Sequence, residues 1–213
     1  MKLKLKQIFG AGVFGTGWAN AGICILLAVG VFLSNELYAV LNHGPAVLNL
    51  QTPIDTALPV VPIFVIPYVS LNPFVYATLI LFLLFRTKVF QSACLAVITV
   101  MMISYGFYFF AQSEVIRPVL LGTDLFTRMI RDVYAGDNPF NCFPSLHTSV
   151  STILAIHWWR TDRRIGIPVA VWTALIVAST VLIKQHYIAD LIFGLVLAFG
   201  LCWLYMRLLL RKA

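Results

Sequence analysis

Residues 165–210 read IGIPVAVWTALIVASTVLIKQHYIADLIFGLVLAFGLCWLYMRLLL, two apolar stretches on either side of the polar segment KQHYIAD. Each stretch has the roughly 20 residues that an α-helix needs to cross a bilayer. Four further apolar stretches precede them. The sequence therefore predicts an all-α, multi-pass membrane protein, a bundle of six transmembrane helices at about residues 17–41, 63–85, 89–110, 147–159, 165–184 and 186–207.

The composition supports this fold class. The 213-residue chain is 61% hydrophobic and only 11% charged, whereas soluble domains carry roughly 25% charged residues. Six helices with short loops leave room for a single domain, residues 1–213, and exclude an appended soluble domain. The net charge of +7 comes from scattered basic residues that form no stripe, so a nucleic-acid partner is not expected.

The distribution of basic residues predicts the orientation. One predicted side of the membrane collects eleven of the fifteen Lys and Arg residues: Lys2, Lys4, Lys6, Arg86, Lys88, Arg160, Arg163, Arg164, Arg207, Arg211 and Lys212. The positive-inside rule places this side, with both chain termini, in the cytoplasm. The N-terminal MKLKLK and its apolar stretch resemble a signal peptide, but the stretch is long for one. We interpret it as an uncleaved first helix.

Two predicted outer segments are too long for simple turns. Residues 42–62 contain four prolines, which favours an irregular or re-entrant connection. Residues 111–146 contain a short amphipathic helix, at about 123–134, with Thr123 as its predicted N-cap. We expect this helix to lie flat at the membrane interface, as a structural shelf or as a lid that grips a lipid headgroup.

Two polar segments at the outer ends of the last helices supply candidate catalytic groups. His186 and Asp190 stand four residues apart, on one face of a helix. The carboxylate can accept the imidazole N–H and leave the other ring nitrogen free to attack. In NCFPSLH, residues 141–147, Ser145 is a predicted N-cap and His147 lies in the first helical turn. Each pair alone is also compatible with a purely structural role.

Two basic residues are further candidate site residues. Arg117 follows the third predicted helix, and Lys184 comes two residues before His186. Each alone could simply meet lipid headgroups at the interface. Together with two histidines, a carboxylate and a helix N-terminus on one side of the membrane, they suit phosphoryl transfer. No Gly-rich nucleotide loop is present, which favours a phosphorylated lipid over ATP as the substrate.

Three motifs carry a resemblance to a known family. Arg117-Pro118, PSLH at 144–147 and HxxxD at 186–190 resemble, in order and spacing, the K-x6-RP, PSGH and SR-x5-H-x3-D motifs of the type 2 phosphatidic acid phosphatase superfamily. The resemblance covers the chain from about Pro62 to its end and includes the expected six-helix topology.

The resemblance implies a role for each matching residue. His186 would be the nucleophile, Asp190 the residue that orients it, and His147 the acid for the leaving oxygen. Arg117 and Ser145 would hold the phosphate. We expect the reaction to need neither a metal nor another cofactor.

The chain also departs from the family pattern. Phe110 occupies the position of the first motif's lysine, Leu146 replaces the glycine of PSGH, and Thr180 stands where the third motif has arginine. Lys184 is the candidate to replace one missing cation. STVLIKQHYIAD and DNPFNCFPSLH resemble the branch that includes inositol phosphorylceramide synthases, which transfer a headgroup to a lipid alcohol.

Four functional hypotheses follow. The first is a metal-independent phosphatase, acting on a lipid such as phosphatidate or a polyisoprenyl phosphate or diphosphate at the extracytoplasmic face through a phosphohistidine. The second is a headgroup transferase with the same site. A lipid transporter is less favoured, because the ionisable groups gather at one surface. A metal hydrolase with His147, His186 and Asp190 as ligands is less favoured, because the sequence has no dense ligand motif.

His157, beside Trp158 and Trp159, is interpreted as part of an interfacial aromatic belt.

Overall fold

The structure, a computed structural model, describes residues 12–13 and 17–210. This part of the chain is helical and contains no β-strand. The helices are α1 (Trp18–Leu41), α2 (Pro53–Ala57), a 3₁₀ turn (Pro62–Phe64), α3 (Val65–Val69), α4 (Leu71–Phe85), α5 (Thr87–Phe110), α6 (Leu125–Gly136), α7 (Leu146–Thr161), α8 (Arg163–Leu182) and α9 (Ile188–Leu209). The N-terminal lysines, Arg211 and Lys212, and with them the interpretation of MKLKLK, lie outside the described residues.

Five helical segments within the described residues are long and apolar enough to cross a membrane. They are Trp18–Leu41, Pro62–Phe85, Thr87–Phe110, Arg163–Leu182 and Ile188–Leu209. Each coincides with one of the six predicted helices to within a few residues, so the chain has the features of a membrane protein.

The remaining predicted helix, at 147–159, is present as α7, which is shorter than the other five. Its 16 residues span about 24 Å at 1.5 Å per residue, less than the roughly 30 Å of a bilayer core. It packs against α4, α5, α8 and α9, and ten of its residues are buried. Because neighbouring helices cover it, α7 needs no apolar surface of its own and carries several serines and threonines.

The second predicted helix is interrupted at Ser70, between α3 and α4. Pro73 has no N–H to donate to the carbonyl of residue 69, so one hydrogen bond of the helical ladder is missing at this point. The hydroxyl of Ser70 donates to the carbonyl of Pro67 (2.7 Å) and accepts from the indole N–H of Trp172 (3.0 Å). The Ser70 hydroxyl therefore joins this segment to α8.

Helix α9 packs on α7 through one face. Its buried positions are Asp190, Gly194, Ala198, Leu201 and Cys202, which recur every three or four residues as one helical face requires. Small residues on such a face let two helices approach closely within a membrane. The close approach brings the N-terminus of α7 beside the N-terminus of α9, and we name this end of the bundle the site end.

The segment at 42–62 is irregular, as predicted, around the short helix α2. Thr52 and Asp55 form a capping box, in which each side chain binds the other residue's backbone N–H (3.3 and 2.8 Å). The second carboxylate oxygen of Asp55 accepts from the backbone N–H of Ile188 (2.8 Å). Asp55 thus fastens this loop to the first turn of α9.

The amphipathic helix of the 111–146 segment is present as α6, but its N-cap is Asp124 instead of the predicted Thr123. The Asp124 carboxylate accepts from both the backbone N–H (3.1 Å) and the hydroxyl (2.6 Å) of Thr127. The cap belongs to Asp124 because its carboxylate reaches both groups. On the apolar face, Ile130 is fully buried among Val65, Tyr68 and Ile183.

The interpretation of His157 as part of an interfacial belt is wrong. The side chain is fully buried, with one ring nitrogen 3.0 Å from the hydroxyl of Ser92 and the other 2.8 Å from the carbonyl of Ile153. The adjacent tryptophans suggested an interface, but His157 lies on the face of α7 that packs against α5.

Candidate active site

The two predicted histidines meet at the site end. The ring centroids of His147, in the first turn of α7, and His186, just before α9, are 5.9 Å apart with planes inclined at 59°. His186 is 7% exposed, and His147 is half-buried. Residues 39 positions apart in the sequence are therefore close enough to act on one substrate group.

Asp190 is positioned to orient His186. Its Oδ2 atom lies 3.3 Å from Nδ1 of His186 and accepts the backbone N–H of Tyr187 at 2.8 Å. The first distance is slightly long for a hydrogen bond, as catalytic pairs often are without substrate. Because Nδ1 faces the carboxylate, Nε2 is the ring nitrogen left to react.

Ser145 caps α7 and ties it to α9. The Ser145 hydroxyl accepts from the backbone N–H of Thr148 (3.3 Å), and its own backbone N–H donates to the carbonyl of Asp190 (3.1 Å). The following N–H groups, of Leu146 and His147, lie in the first turn, where an α-helix has no carbonyl to receive them. This turn is a suitable binding place for anionic oxygens.

Arg117 contacts Gln185, the neighbour of His186 in the sequence, but the protein itself occupies most of its donors. Two N–H groups donate to the carbonyls of Tyr134 (3.2 Å) and Asp137 (2.7 Å) at the end of α6. The other two terminal N–H groups donate to the carbonyl of Asn138 (3.3 Å) and to Oε1 of Gln185 (2.6 Å). The buried Nε–H has no protein partner. Gln185 directly precedes His186, so its bond to Arg117 connects the arginine to the turn that carries the histidine.

Lys184 is turned toward the 42–62 loop. Its ammonium donates to the backbone carbonyls of Asp55 (2.6 Å) and Leu58 (2.7 Å), the C-terminal end of α2. An ammonium has three N–H donors, so one remains after these two bonds. The backbone of Lys184 has a φ of 54°, in the left-handed region that non-glycine residues seldom adopt, as the chain turns from α8 into α9.

A half-buried carboxylate, that of Asp137, lies near the arginine. It accepts from the amide of Asn42 (2.6 Å) and the hydroxyl of Tyr38 (3.1 Å). Burial raises the pKa of the Asp137 carboxyl above its usual range, while the hydrogen bond from Tyr38 and the charge of Arg117 act in the opposite direction. The contacts join the end of α6, and with it Arg117, to α1.

Sequence analysis missed two residues of the site. Tyr68 stacks on the imidazole of His147, with centroids 4.3 Å apart and planes inclined at 15°. Gln185 holds Arg117, and its buried Nε2 has no protein partner. The position of Gln185 beside His186 was a usable signal, whereas nothing in the sequence around Tyr68 indicates that it reaches α7.

The three departures from the family motifs fall in different surroundings. Phe110 is 83% exposed at the end of α5, Leu146 is half-buried in the first turn of α7, and Thr180 is fully buried. The carbonyl of Thr180 accepts the backbone N–H groups of Gln185 (2.8 Å) and His186 (3.1 Å). Thr180 therefore shapes the turn that presents His186.

Comparison with known proteins identifies the family of the chain. Residues 108–213, the C-terminal half of the chain and the part that holds all three motifs, match the family model described as the PAP2 superfamily. The chain belongs to this superfamily, that of the type 2 phosphatidic acid phosphatases, whose members are generally phosphatases or phosphotransferases. No curated protein and no solved structure matches the chain. The likeness to inositol phosphorylceramide synthases stays a prediction.

Gly194 controls the approach of α7 to α9. A Cβ at this position would lie 2.9 Å from the carbonyl oxygen of Ser145 and 3.1 Å from Cβ of Thr148. We expect Gly194→Ala to shift the first turn of α7 and lower phosphate release about 10- to 100-fold, the scale of an ångström-sized misplacement. Gly200→Ala, on the same helix with open space around its Cβ, is the matched control. Equal activities of the two variants would contradict this account.

Tyr68 is expected to position His147 through its ring. Tyr68→Phe keeps the stacked face and should retain nearly full activity, whereas Tyr68→Leu should lower kcat about tenfold or more by freeing the imidazole. A steady-state assay with a pH profile tests this, because an unstacked imidazole should also change the pH dependence. If Tyr68→Phe lost as much activity as Tyr68→Leu, the hydroxyl would be the important group instead.

Proposed function

We propose that the protein is a membrane phosphatase that removes phosphate from a lipid phosphate or diphosphate monoester through a phosphohistidine at position 186. The observation that carries this proposal is the pairing of His186 with Asp190 on one side and with His147, 5.9 Å away between ring centroids, on the other. This arrangement supplies a nucleophile, a residue that orients it and an acid within one small space.

In the first half of the proposed reaction, Nε2 of His186 attacks phosphorus while the bond between phosphorus and the lipid oxygen breaks. Asp190 holds the Nδ1–H and stabilises the charge on the ring. His147 gives its proton to the departing oxygen, so the lipid leaves as an alcohol or, from a diphosphate, as a monophosphate. In the second half, water loses a proton to His147 and attacks phosphorus, and the bond to His186 breaks to release phosphate.

The phosphate oxygens have donors available in the described residues. The first-turn N–H groups of α7, set by Ser145, face the site end. Arg117 offers its unpartnered Nε–H, Gln185 its unpartnered Nε2, and Lys184 its third N–H. Buried donors without a partner are uncommon in proteins and are often satisfied by a ligand. In this proposal these cations and N–H groups stabilise the phosphoryl charge, and no metal ion takes part.

We also propose how the molecule lies in the membrane. All six predicted helices cross it, with α7 as the short, protein-covered one, and both termini are cytoplasmic. The site end is extracytoplasmic, since eleven of the fifteen basic residues belong to the opposite side by sequence. Helix α6 lies along the interface, with Arg128 and Arg131 on its exposed face. The substrate then enters from the outer leaflet.

A second candidate, headgroup transfer to a lipid alcohol, is favoured by the burial of the nucleophile. His186 is only 7% exposed, and a transferase must keep water away from its phosphoenzyme. The half-reaction that forms the phosphoenzyme is the same. The two functions differ in the acceptor of the second step.

A product assay tests both functions. Purified protein in detergent is given radiolabelled phosphatidate or polyisoprenyl diphosphate in the presence of a chelator, with and without lipid alcohols. The phosphatase proposal expects free phosphate from at least one of these lipids in chelator. A labelled lipid product that forms only with an alcohol would support transfer. Labelled substrate that remains intact under both conditions, or release that chelator abolishes, would overturn the metal-independent mechanism.

A further inference from the structure

A long groove runs along the bundle away from the site end. Its volume is about 1750 Å³, above the roughly 300–1,000 Å³ of typical small-molecule pockets. Helix α7 forms its floor, and α8 and α9 form its walls. The apolar and small lining includes Ala155, Ala174, Val177, Leu195 and Phe199. Such a surface suits an acyl chain.

The far end of the groove is strongly basic, and we name it the arginine end. Arg160, at the end of α7, Arg163, at the start of α8, and Arg207, near the end of α9, all line it. All three are exposed, and no carboxylate among the described residues forms an ion pair with them. The nearest acid in sequence, Asp162, uses its carboxylate to accept the backbone N–H of Arg164 (2.8 Å). Three cations therefore converge without a counterion from the described part of the chain.

Two tryptophans accompany the arginines. The guanidinium of Arg207 lies 4.3 Å from the ring centroid of Trp203, and that of Arg163 lies 5.8 Å from that of Trp159. Both rings also line the groove. Cation–π contacts hold the guanidinium groups at the mouth, and amphipathic tryptophan rings favour the level of lipid headgroups.

We propose that this groove binds an anionic phospholipid, with its acyl chains along α7 and its phosphate among Arg160, Arg163 and Arg207. Charge complementarity identifies the ligand: the apolar walls match the chains, and the three unpaired guanidinium groups match a phosphate. A second copy of this chain would bring its own basic residues to the same place. The opposite sign of charge therefore favours the lipid.

The proposed lipid site is separate from the candidate active site. Arg160 follows His147 by thirteen positions along α7, about 20 Å at 1.5 Å per residue. A headgroup at the arginine end therefore cannot reach the histidines. The lipid in the groove is a bound component of the membrane leaflet at that end, and its binding does not depend on whether the active site hydrolyses phosphate.

The groove tryptophans provide the experiment. The full chain, with Trp18→Phe and Trp172→Phe to remove two reporters outside the groove, is reconstituted in phosphatidylcholine vesicles. A minor fraction of the lipid carries brominated acyl chains that quench tryptophan fluorescence on contact, either as phosphatidylglycerol or as phosphatidylcholine. We expect brominated phosphatidylglycerol to quench at a roughly 100-fold lower fraction than brominated phosphatidylcholine, because each of the three arginines contributes roughly fivefold to the preference.

Two triple variants separate the groove from general surface charge. Replacement of Arg160, Arg163 and Arg207 by Gln should abolish the preference for the anionic lipid. The matched control, Arg86→Gln, Lys88→Gln and Arg164→Gln, removes the same charge from residues outside the groove lining and should keep it. Circular dichroism checks that each variant folds. Equal quenching by both lipids would overturn the proposal, and so would an equal loss of preference in both triple variants. Quenching that changes with protein density would indicate a second copy of the chain in the groove and would also overturn it.

Discussion

Replacement of His186 by alanine is expected to abolish phosphate release, with a loss on the order of 10⁴–10⁶-fold, the scale observed when a covalent nucleophile is removed. The imidazole forms the bond to phosphorus in the proposed mechanism, and no other described nucleophile has the same support. Asp190 is fully buried, and its Oδ2 contacts Nδ1 of His186 and the N–H of Tyr187, so in the proposed mechanism it acts through that ring. Without the ring, no nitrogen can attack phosphorus, so the phosphoenzyme that links the two half-reactions cannot form.

Two measurements distinguish a lost nucleophile from a lost fold. The first is phosphate release from a lipid phosphate by the His186→Ala variant beside His43→Ala, because the His43 side chain is exposed and its ring hydrogen-bonds the adjacent carbonyl of Gly44. The second is trapping of labelled protein from ³²P-labelled substrate by rapid denaturation. The unchanged protein and His43→Ala should yield acid-labile, alkali-stable label, as expected for phosphohistidine. Substantial activity or label in folded His186→Ala would refute the assignment of the nucleophile.

The sequence predicted the helices well because their signal is local. A stretch of about twenty apolar residues must be helical to satisfy its backbone in lipid, whatever it packs against. The same reasoning is weaker for α7, because neighbouring helices bury ten of its sixteen residues. Hydropathy identified the segment and its short length, but not that its Ser and Thr residues are buried against neighbouring helices.

The convergence of His147 and His186 was also within reach of the sequence. Both residues start a helix, and the alternation of the predicted helices brings both starts to the same side. The residues that surround the two rings could not be predicted from the sequence, because they depend on contacts between distant segments. Tyr68 reaches His147 from α3, and the carbonyls that hold Lys184 belong to the 42–62 loop. Counting charges could not reveal that Arg117 already has four protein acceptors.

Replacement of His147 by asparagine is expected to lower hydrolysis of a lipid phosphate by about 10²–10⁴-fold, the usual contribution of general acid–base catalysis. The lipid alkoxide is a poor leaving group and needs a proton as its bond to phosphorus breaks. Asparagine has a similar size and keeps hydrogen-bonding capacity at the stacked position beside Tyr68. The variant therefore removes the proton donor with little change to the shape of the site.

The leaving group provides the decisive comparison. With an aryl phosphate, whose phenolate leaves without a proton, His147→Asn should form the phosphoenzyme nearly as fast as the unchanged protein, whereas His186→Ala should stay inactive on both substrates. Water must still be deprotonated in the second step, so labelled phosphoenzyme should accumulate in His147→Asn. A burst of phenolate followed by slow phosphate release would be the kinetic sign of this accumulation. If the variant lost the same factor with both substrates and no label accumulated, His147 would serve to bind phosphate, and the proton would have to come from another group.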